Sequence, residues 1–269
     1  MLATDFEYDG INLSDFGFTT CLFGDSGEED ISIGSVITFN TVQRHFGKEY
    51  GLTSTEYGET ISTSFGICRD PDVYDDMRIT EDEKHSLVRW LNRREFLPLK
   101  FIYTDEDNLD IYYNASFNID KYLVDDILYG FTLTMVTDKP FGYGEEISQT
   151  IEVTDTASTY TITDESYEIG HTYPDMQITC NADGDLYIIN ETESCEMLIQ
   201  NCTAGEVITI TGDTHIISSS VSGHALYTDF NWDFFKIGNT YDNRENEITV
   251  SLLCTIVLTY RPIIKDSPN

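Results

Sequence analysis

Short runs of apolar and β-branched residues alternate with turn-forming residues along most of the chain, a pattern typical of a mainly-β protein. From Phe131 to Val136, large apolar residues alternate with threonine and valine, and this period of two predicts a strand with one buried face. Asp9-Gly10 lies between two short apolar runs and predicts a tight hairpin turn. Further strands of the first half are expected at Ile31 to Phe39, Thr60 to Cys68, Leu99 to Tyr103, Ile111 to Tyr122 and Ile127 to Val136.

One segment of the first half has a helical pattern instead. Thr80 followed by Glu83 forms a capping box, which marks a helix N-terminus. Leu87 and Leu91 then lie four residues apart on one face. Acidic residues fill the first turn and arginines follow at the far end, as the helix dipole favours. The sequence therefore predicts one helix from about Glu81 to Glu95, lying on a sheet.

The second half contains no helical pattern between residues 145 and 262 and is predicted to be a β-sandwich. Residues 139–144 lie in a stretch with one proline and two glycines, which favours an exposed connector. We therefore expect a first domain at 1–138, a linker at 139–144 and a second domain at 145–269. The strands of the second domain are expected at Ile147 to Val153, Tyr160 to Thr163, Met176 to Asn181, Leu186 to Asn190, Glu196 to Gln200, Val207 to Thr211, Ile216 to Ser219 and Ile248 to Tyr260.

Charge excludes several classes of partner. The 269 residues include 15 Lys and Arg against 48 Asp and Glu, a net charge of −33, which divides into −16 for residues 1–140 and −17 for 141–269. Sequence-independent binding to nucleic acid phosphates needs surplus basic residues, and an anionic membrane surface would repel the chain. Because neither an export signal nor a membrane-length apolar run is visible, we expect the six cysteines to be reduced thiols.

The most tempting catalytic motif is Phe23-Gly24-Asp25-Ser26-Gly27. It is similar to the serine block of GDSL-type esterases and to the Gly-Asp-Ser-Gly of trypsin-like proteases. Too few residues precede Ser26 for the trypsin order, and the single Asp-x-x-His pair, Asp82 with His85, falls in the predicted helix. We therefore expect a polar turn here, not a nucleophile.

Metal-binding motifs are equally weak. Asp105 to Asp110 lacks the glycine and the distal glutamate of an EF-hand loop, and the five histidines form no His-x-x-x-His pair. Carboxylates are abundant, but abundance does not make the matched pair that a glycosidase needs. No catalytic, cofactor-binding or metal-binding residue is predicted, and the chain is not expected to be an enzyme.

The order of weak features along the chain is more informative than any one motif. A β-rich half with one helix is followed by an all-β half, and short strings recur at fixed places in both. These strings are Phe6 to Gly10 with Asn12, Arg44 to Gly51, Trp90-Leu91, Tyr129 to Leu133, Thr137 to Phe141, Ile189 to Thr192, Gly205 to Ile210, Trp232 to Ile237, Asn246 to Val250 and Tyr260 to Pro262. In this order they resemble the distal tail protein (Dit) family of long-tailed, siphovirus-type bacteriophages and prophages. The chain departs from the family at Phe234-Phe235-Lys236, where many relatives have a proline.

The resemblance implies a fold and an assembly. The first half would be a tube-type, β-barrel-like belt domain with one helix, and the second a galectin-like β-sandwich. Six copies would form a ring that joins the tail tube protein to the tail-tip hub and to a receptor-binding protein. The protein would be assembled in the host bacterial cytoplasm and lie at the tail tip of the virion, with DNA passing through the ring lumen without specific binding.

Two further hypotheses come from individual residues. Arg44, His45 and Lys48 form a basic patch in a loop between predicted strands, and we expect it to reach acidic residues of a neighbouring subunit. A carbohydrate-binding β-sandwich is the alternative function. Exposed aromatics commonly form sugar sites, and Trp232, Tyr227 and Tyr241 are the candidates, although packing against the core would also explain them.

Overall fold

The protein is described by a computed structural model that covers residues 3–23, 36–43, 47, 50–103 and 109–266. The chain forms two compact units, one of Met1–Gly144 with Ile264–Asn269 and one of Glu145–Ile263. Strands dominate both units, so the predicted mainly-β class is confirmed.

The first unit contains ten strands and one α-helix among its described residues before the second unit begins. They are β1 (Asp5–Tyr8), β2 (Ile11–Asn12), β3 (Phe18–Cys21), β4 (Ile37–Gln43), β5 (Tyr50–Tyr57), β6 (Ser62–Arg69), α1 (Glu81–Leu91), β7 (Leu97–Ile102), β8 (Tyr112–Val124), β9 (Ile127–Thr137) and β10 (Gly142–Tyr143). Seven of the strands form one path in the order β2-β1-β7-β8-β9-β6-β3. Among the described residues, strands β4 and β5 pair only with each other.

The large sheet of the first unit curls toward itself without closing into a barrel, which agrees with the barrel-like expectation. Its two ends approach each other at Thr4, whose carbonyl oxygen accepts a hydrogen bond from Thr20 N–H at 3.4 Å and from Thr19 Oγ1 at 2.9 Å. These contacts do not continue as a strand ladder in the described part of the chain. The curl encloses an aromatic core in which Phe6 stacks on Trp90 at 5.7 Å and meets Phe65 edge-on at 5.8 Å.

Helix α1 begins as the sequence predicts and ends earlier. The Thr80 side chain accepts from Glu83 N–H, and the Glu83 carboxylate accepts from Thr80 N–H at 2.8 Å, so the capping box is confirmed. Leu87 and Leu91 are buried. The predicted end at Glu95 is wrong, because Asn92 leaves the helical conformation with φ −82° and ψ 79° and the chain turns toward β7.

The second unit has eleven strands and one short helix. They are β11 (Ile147–Val153), β12 (Thr159–Thr163), β13 (Gly170–Thr172), β14 (Asp175–Cys180), β15 (Gly184–Asn190), β16 (Cys195–Cys202), β17 (Val207–Thr211), β18 (Ile216–Ser219), α2 (Leu226–Asp229), β19 (Ile237–Asn239), β20 (Glu245–Val250) and β21 (Cys254–Tyr260). A last short strand, β22 (Ile263–Ile264), follows them. Strands β11-β21-β14-β17-β18 form one sheet, β12-β20-β15-β16 a second, and β13 pairs with β19.

A single buried core takes side chains from both of these sheets, among them Ile178 and Ile256 from one and Ile188 and Ile199 from the other. Two packed antiparallel sheets with a shared core are a β-sandwich, as the spacing of the strands predicts. The expectation that the second half has no helix is wrong, since α2 forms one short turn. The single strand expected over 248–260 is two strands, because the chain passes from one sheet to the other after β20.

The end of the chain belongs with the first unit. Strand β22 pairs with β10, and Tyr113 Oη donates to the Asp266 carbonyl oxygen at 3.0 Å. The second compact unit therefore ends at Ile263, six residues before the end of the expected second domain at 269.

Candidate assembly surface

The β4–β5 hairpin is a two-stranded ribbon that, within the described part of the chain, is not part of any of the three larger sheets. Ile37 pairs with Tyr57 at its base, and Gln43 pairs with Tyr50 at the far end of the described strands. The register shifts between Asn40 and Thr41, so β5 carries one extra residue as a bulge. Such a ribbon is at best marginally stable in water when nothing covers it.

One face of the ribbon is apolar and open to solvent. Directly paired residues of antiparallel strands share a face, which places Ile37, Phe39, Leu52, Tyr50 and Tyr57 together. The exposed fractions are 63% for Phe39, 60% for Leu52 and 66% for Tyr50. We call these five residues the apolar ribbon face. Burying one such large side chain is worth about 1.5–3 kcal/mol, so a partner that covers this face would bind with a large favourable free energy.

The opposite face is mostly polar and internally hydrogen-bonded, with Val42 as its one exposed large apolar residue. Asn40 Nδ2 donates to Ser54 Oγ at 3.0 Å and to Glu56 Oε1 at 3.3 Å. Thr53 Oγ1 donates to the Asn40 carbonyl oxygen at 2.8 Å, which stabilises the bulge. The two faces therefore differ in chemistry, and the ribbon is amphipathic.

Contacts at the base fix the ribbon to the first unit. Gly58 N–H donates to the Val36 carbonyl oxygen at 2.9 Å and closes the base of the ribbon itself. The ring of Tyr57 meets that of Phe141 at 6.1 Å in an edge-to-face arrangement, and Lys265 Nζ lies 5.7 Å from the Tyr57 ring centroid. The ribbon is thus anchored at one end and exposed along its length.

The ribbon is also almost free of charge. Among residues 37–43 and 50–57, Glu56 is the single ionisable acid and no lysine or arginine occurs. In a chain of net charge −33, such a region is where two like-charged copies can approach with least repulsion. Charge depletion and aromatic enrichment are also features of interface cores.

A second exposed apolar spot lies at the β8–β9 turn. Leu123, Val124 and Ile127 are 40–50% exposed there. Asp125 and Asp126 form the turn itself with φ 51° and 64°, the left-handed conformation at both central positions that tight hairpins require.

The predicted inter-subunit residues Arg44, His45 and Lys48 lie outside the described residues, as does Ser26 of the esterase-like motif. In the sequence, the three basic residues lie between β4 and β5. Phe23, the described end of the esterase-like motif, stacks on Tyr122 at 3.9 Å.

The other candidate chemical groups are not brought together. His85 is exposed on α1, 3.9 Å from Glu81, and most of the Asp105–Asp110 turn lies outside the described residues. The part of the chain that the structure describes contains no group of three His, Cys, Asp or Glu side chains that could hold a metal ion. All six cysteines are free thiols, and burial raises the pKa of Cys254 to about 12. No helix of the described residues is long and apolar enough to cross a membrane.

The apolar ribbon face is the feature that the sequence does not predict. The alternation of Ile37 and Phe39 indicates a strand but also implies burial. Strand β5 is missed altogether, because the bulge after Leu52 interrupts the period of two that would reveal it. The low charge of residues 37–43 and 50–57 is the available signal, since it contrasts with the acidity of the rest of the chain.

The two β-rich units and the exposed ribbon define a class of protein: a mainly-β chain that presents an apolar surface of the kind that assembling proteins bury. Comparison with known families is more specific. Residues 1–139 match the family model of a phage tail protein N-terminal domain, and residues 141–260 match that of a phage tail C-terminal domain. The chain belongs to this family of phage tail proteins.

Among solved structures the chain is similar to the SPP1 Dit (gp 19.1) protein, described as a paradigm of the hub adsorption apparatus in phages that infect Gram-positive bacteria. The TM-score is 0.64 at 13% sequence identity, over 97% of this chain and 99% of the other. At this identity the likeness shows a shared fold across both units. No curated protein sequence matches the chain.

Proposed function

We propose that this phage tail protein is a distal tail protein whose six copies form a ring between the tail tube and the tail-tip hub. The family match covers both halves of the chain, and the fold is that of SPP1 Dit over nearly its full length. The role is structural, and the protein has no catalytic part in it.

The apolar ribbon face is the observation that carries the proposal. A structural tail protein must bind its own copies, yet copies of net charge −33 repel one another. The ribbon combines exposed Phe39, Tyr50 and Leu52 with a near-absence of charge, so it meets both requirements. The partner that fits it is the first unit of the neighbouring copy in the ring.

The remaining partners follow from the position of a distal tail protein. One side of the ring would contact the tail tube protein, and the other the tail-tip hub and a receptor-binding protein. The ring would be assembled in the host bacterial cytoplasm and carried at the tail tip of the virion. DNA would pass through the lumen without specific binding, because an acidic protein offers phosphates little attraction.

The apolar contact is tested by comparing two variants of the full-length chain. Phe39→Ser with Leu52→Ser removes the centre of the apolar ribbon face, whereas Val42→Ser removes an equally exposed apolar residue, 58% exposed, from the opposite face. Sedimentation of the wild-type chain should give a hexamer of about 184 kDa, six times the 30.6 kDa of one chain.

The double variant should sediment as a monomer with an unchanged unfolding midpoint, since neither side chain contributes to the core. The Val42→Ser chain should remain hexameric. Hexamers that persist in the double variant would contradict the role of this face, and a monomeric wild-type chain would contradict the ring itself.

The basic loop is proposed to contribute a second, weaker contact. Arg44, His45 and Lys48 would meet acidic residues of the neighbouring copy, although each exposed pair is worth only about 0–1 kcal/mol. Salt screens charges beyond about 8 Å at physiological ionic strength, so repulsion summed over six copies should dominate. Hexamers should therefore increase as salt rises from very low to moderate concentration.

Arg44→Glu with Lys48→Glu should shift the equilibrium toward monomer without lowering the stability of the monomer. Sedimentation across a salt series measures both effects. Hexamers that are unaffected by the double substitution, or that dissociate as salt first rises, would exclude the loop contact.

A further inference from the structure

Trp232 has an unusual combination of conformation and exposure in the second unit. Its φ is +62°, in the left-handed region that costs a bulky residue about 1–3 kcal/mol. The other non-glycine residues of the described chain with positive φ are Asp, Ser, Asn and His. Yet 57% of Trp232 is exposed to solvent, so burial of the indole does not explain the strain.

Neighbouring contacts hold this indole in one orientation. Both polar atoms of the Asn231 side-chain amide bind the backbone of β16. Nδ2 donates to the Glu196 carbonyl oxygen at 2.8 Å, and Oδ1 accepts from Leu198 N–H at 3.1 Å. The Trp232 indole N–H points at the Tyr227 carbonyl oxygen, 3.4 Å away. The ring packs beside Phe230 at 5.5 Å. The exposed face is therefore preorganised.

A second exposed aromatic lies on the adjoining turn. Tyr227 of α2 is 75% exposed. The turn before it is tied down by His224, whose buried ring places Nδ1 2.5 Å from Glu206 Oε1 and Nε2 2.8 Å from the Gln200 carbonyl oxygen. Both aromatics thus rest on a rigid support.

We propose that Trp232 and Tyr227 form a binding platform for an uncharged pyranose sugar of a polysaccharide. The flat face of a sugar ring packs on an exposed, fixed aromatic ring, and its hydroxyls need acceptors at the rim. Asp233 follows Trp232 in the sequence, is exposed, and supplies carboxylate oxygens. Asp229, between the two aromatics, is instead part of the support, because its side chain is 19% exposed and its oxygens accept from Asn201 Nδ2 at 3.2 Å and from Thr228 Oγ1 at 3.0 Å.

Charge narrows the ligand class. Residues 141–269 carry 21 acidic and 4 basic residues, so anionic glycans and phosphate-containing polymers would be repelled. A neutral sugar is not repelled by this negative charge. This site is separate from the apolar ribbon face and does not depend on ring assembly.

The test uses the full chain and four neutral probes: maltohexaose, cellohexaose, β-1,4-galactohexaose and chitohexaose. Trp90 is buried and Trp232 exposed, so a change in tryptophan fluorescence reports on Trp232. At least one probe should give a saturable change with Kd between about 0.01 and 1 mM. A hexamer of galacturonic acid, which is anionic, should give none.

Sugar affinities of single-residue variants, measured by calorimetry, show whether the sugar binds at Trp232 and Tyr227. Trp232→Ala should weaken binding at least tenfold and Tyr227→Ala severalfold, while Trp232→Phe should retain part of the affinity. Tyr241→Ala is the matched control, because Tyr241 is 90% exposed but lies outside the platform, and it should bind as the wild type does.

Three results would overturn the proposal: no saturable change with any of the four neutral probes up to about 10 mM, undiminished binding by Trp232→Ala, or equal binding of the anionic hexamer. Protection of Trp232 by another tail protein, with no response to the sugars, would assign the platform to a protein partner instead. Each outcome is distinct from failure of the ring, which is measured by sedimentation alone.

Discussion

Glu206 and His224 form a close pair that is almost fully enclosed, with side-chain exposures of 0% and 3%. Both ring nitrogens of His224 lie within hydrogen-bond distance of an oxygen atom. Glu206 accepts in addition from Ser219 and from Thr203 N–H. Burial acts to raise the pKa of the Glu206 carboxyl, but these hydrogen bonds outweigh it and hold the pKa below its usual 4.5.

A carboxyl whose pKa is lowered by folding stabilises the protein at pH values above its unfolded pKa, and this contribution is lost as the pH falls through the folded pKa. We therefore expect Glu206→Gln to be less stable than the wild type at pH 7, with the difference shrinking below about pH 4.5. Urea unfolding at pH 3 to 7 measures it. Glu196→Gln, at an exposed position, is the control. A stability difference that does not change with pH would contradict the role of the ionised Glu206 carboxylate.

Trp232 shows which properties of a single residue cannot be predicted from the sequence. The sequence identifies Trp232, Tyr227 and Tyr241 as candidates for a sugar site but does not separate them. The separation depends on the left-handed backbone of Trp232 and its support by Asn231, which are set by contacts with a strand over 30 residues away.

Helix α1 is the element that sequence reasoning describes best, because its signals are local. The capping box needs only Thr80 and Glu83, and both of its hydrogen bonds form. The end of the helix depends on more distant contacts. Arg93 and Arg94 suit the last turn of a helix electrostatically, but the chain leaves the helix after Leu91 and turns toward β7. Helix α2 has only four residues, too few for a helical period to appear.

Packing of α1 gives the sharpest prediction at the scale of an element. Leu91 is fully buried while Val88, on the same helix, is 38% exposed. Leu91→Ala should lower the free energy of unfolding by about 2–5 kcal/mol, because it leaves a cavity without reducing helix propensity. Val88→Ala should change it by less than about 1 kcal/mol. Equal midpoints in chemical denaturation would show that this face of the helix does not pack on the sheet.

At the scale of the whole molecule, the sequence predicts two β-rich halves and a connector between them. It does not predict that the chain end returns to the first unit, because the pairing of β22 with β10 joins segments some 120 residues apart. It also does not predict that the ribbon stays uncovered, since exposure depends on where every other element packs.

The division into units leads to a prediction about independent folding. Fragment 145–263 holds both sheets of the sandwich and their shared core, so it should fold alone as a soluble monomer. Ring formation should stay with the first unit, which carries the apolar ribbon face. Circular dichroism and sedimentation of the fragment test this. An unfolded fragment, or one that forms hexamers by itself, would contradict the assignment.

The central claim is that copies of this chain assemble through the first unit into a ring of six. Electron microscopy of the purified full-length protein, with class averages calculated without imposed symmetry, tests it most directly. The expected result is a population of closed rings with six-fold symmetry and an open centre at moderate salt. Isolated single chains at every salt concentration, or rings with another number of subunits, would contradict the claim.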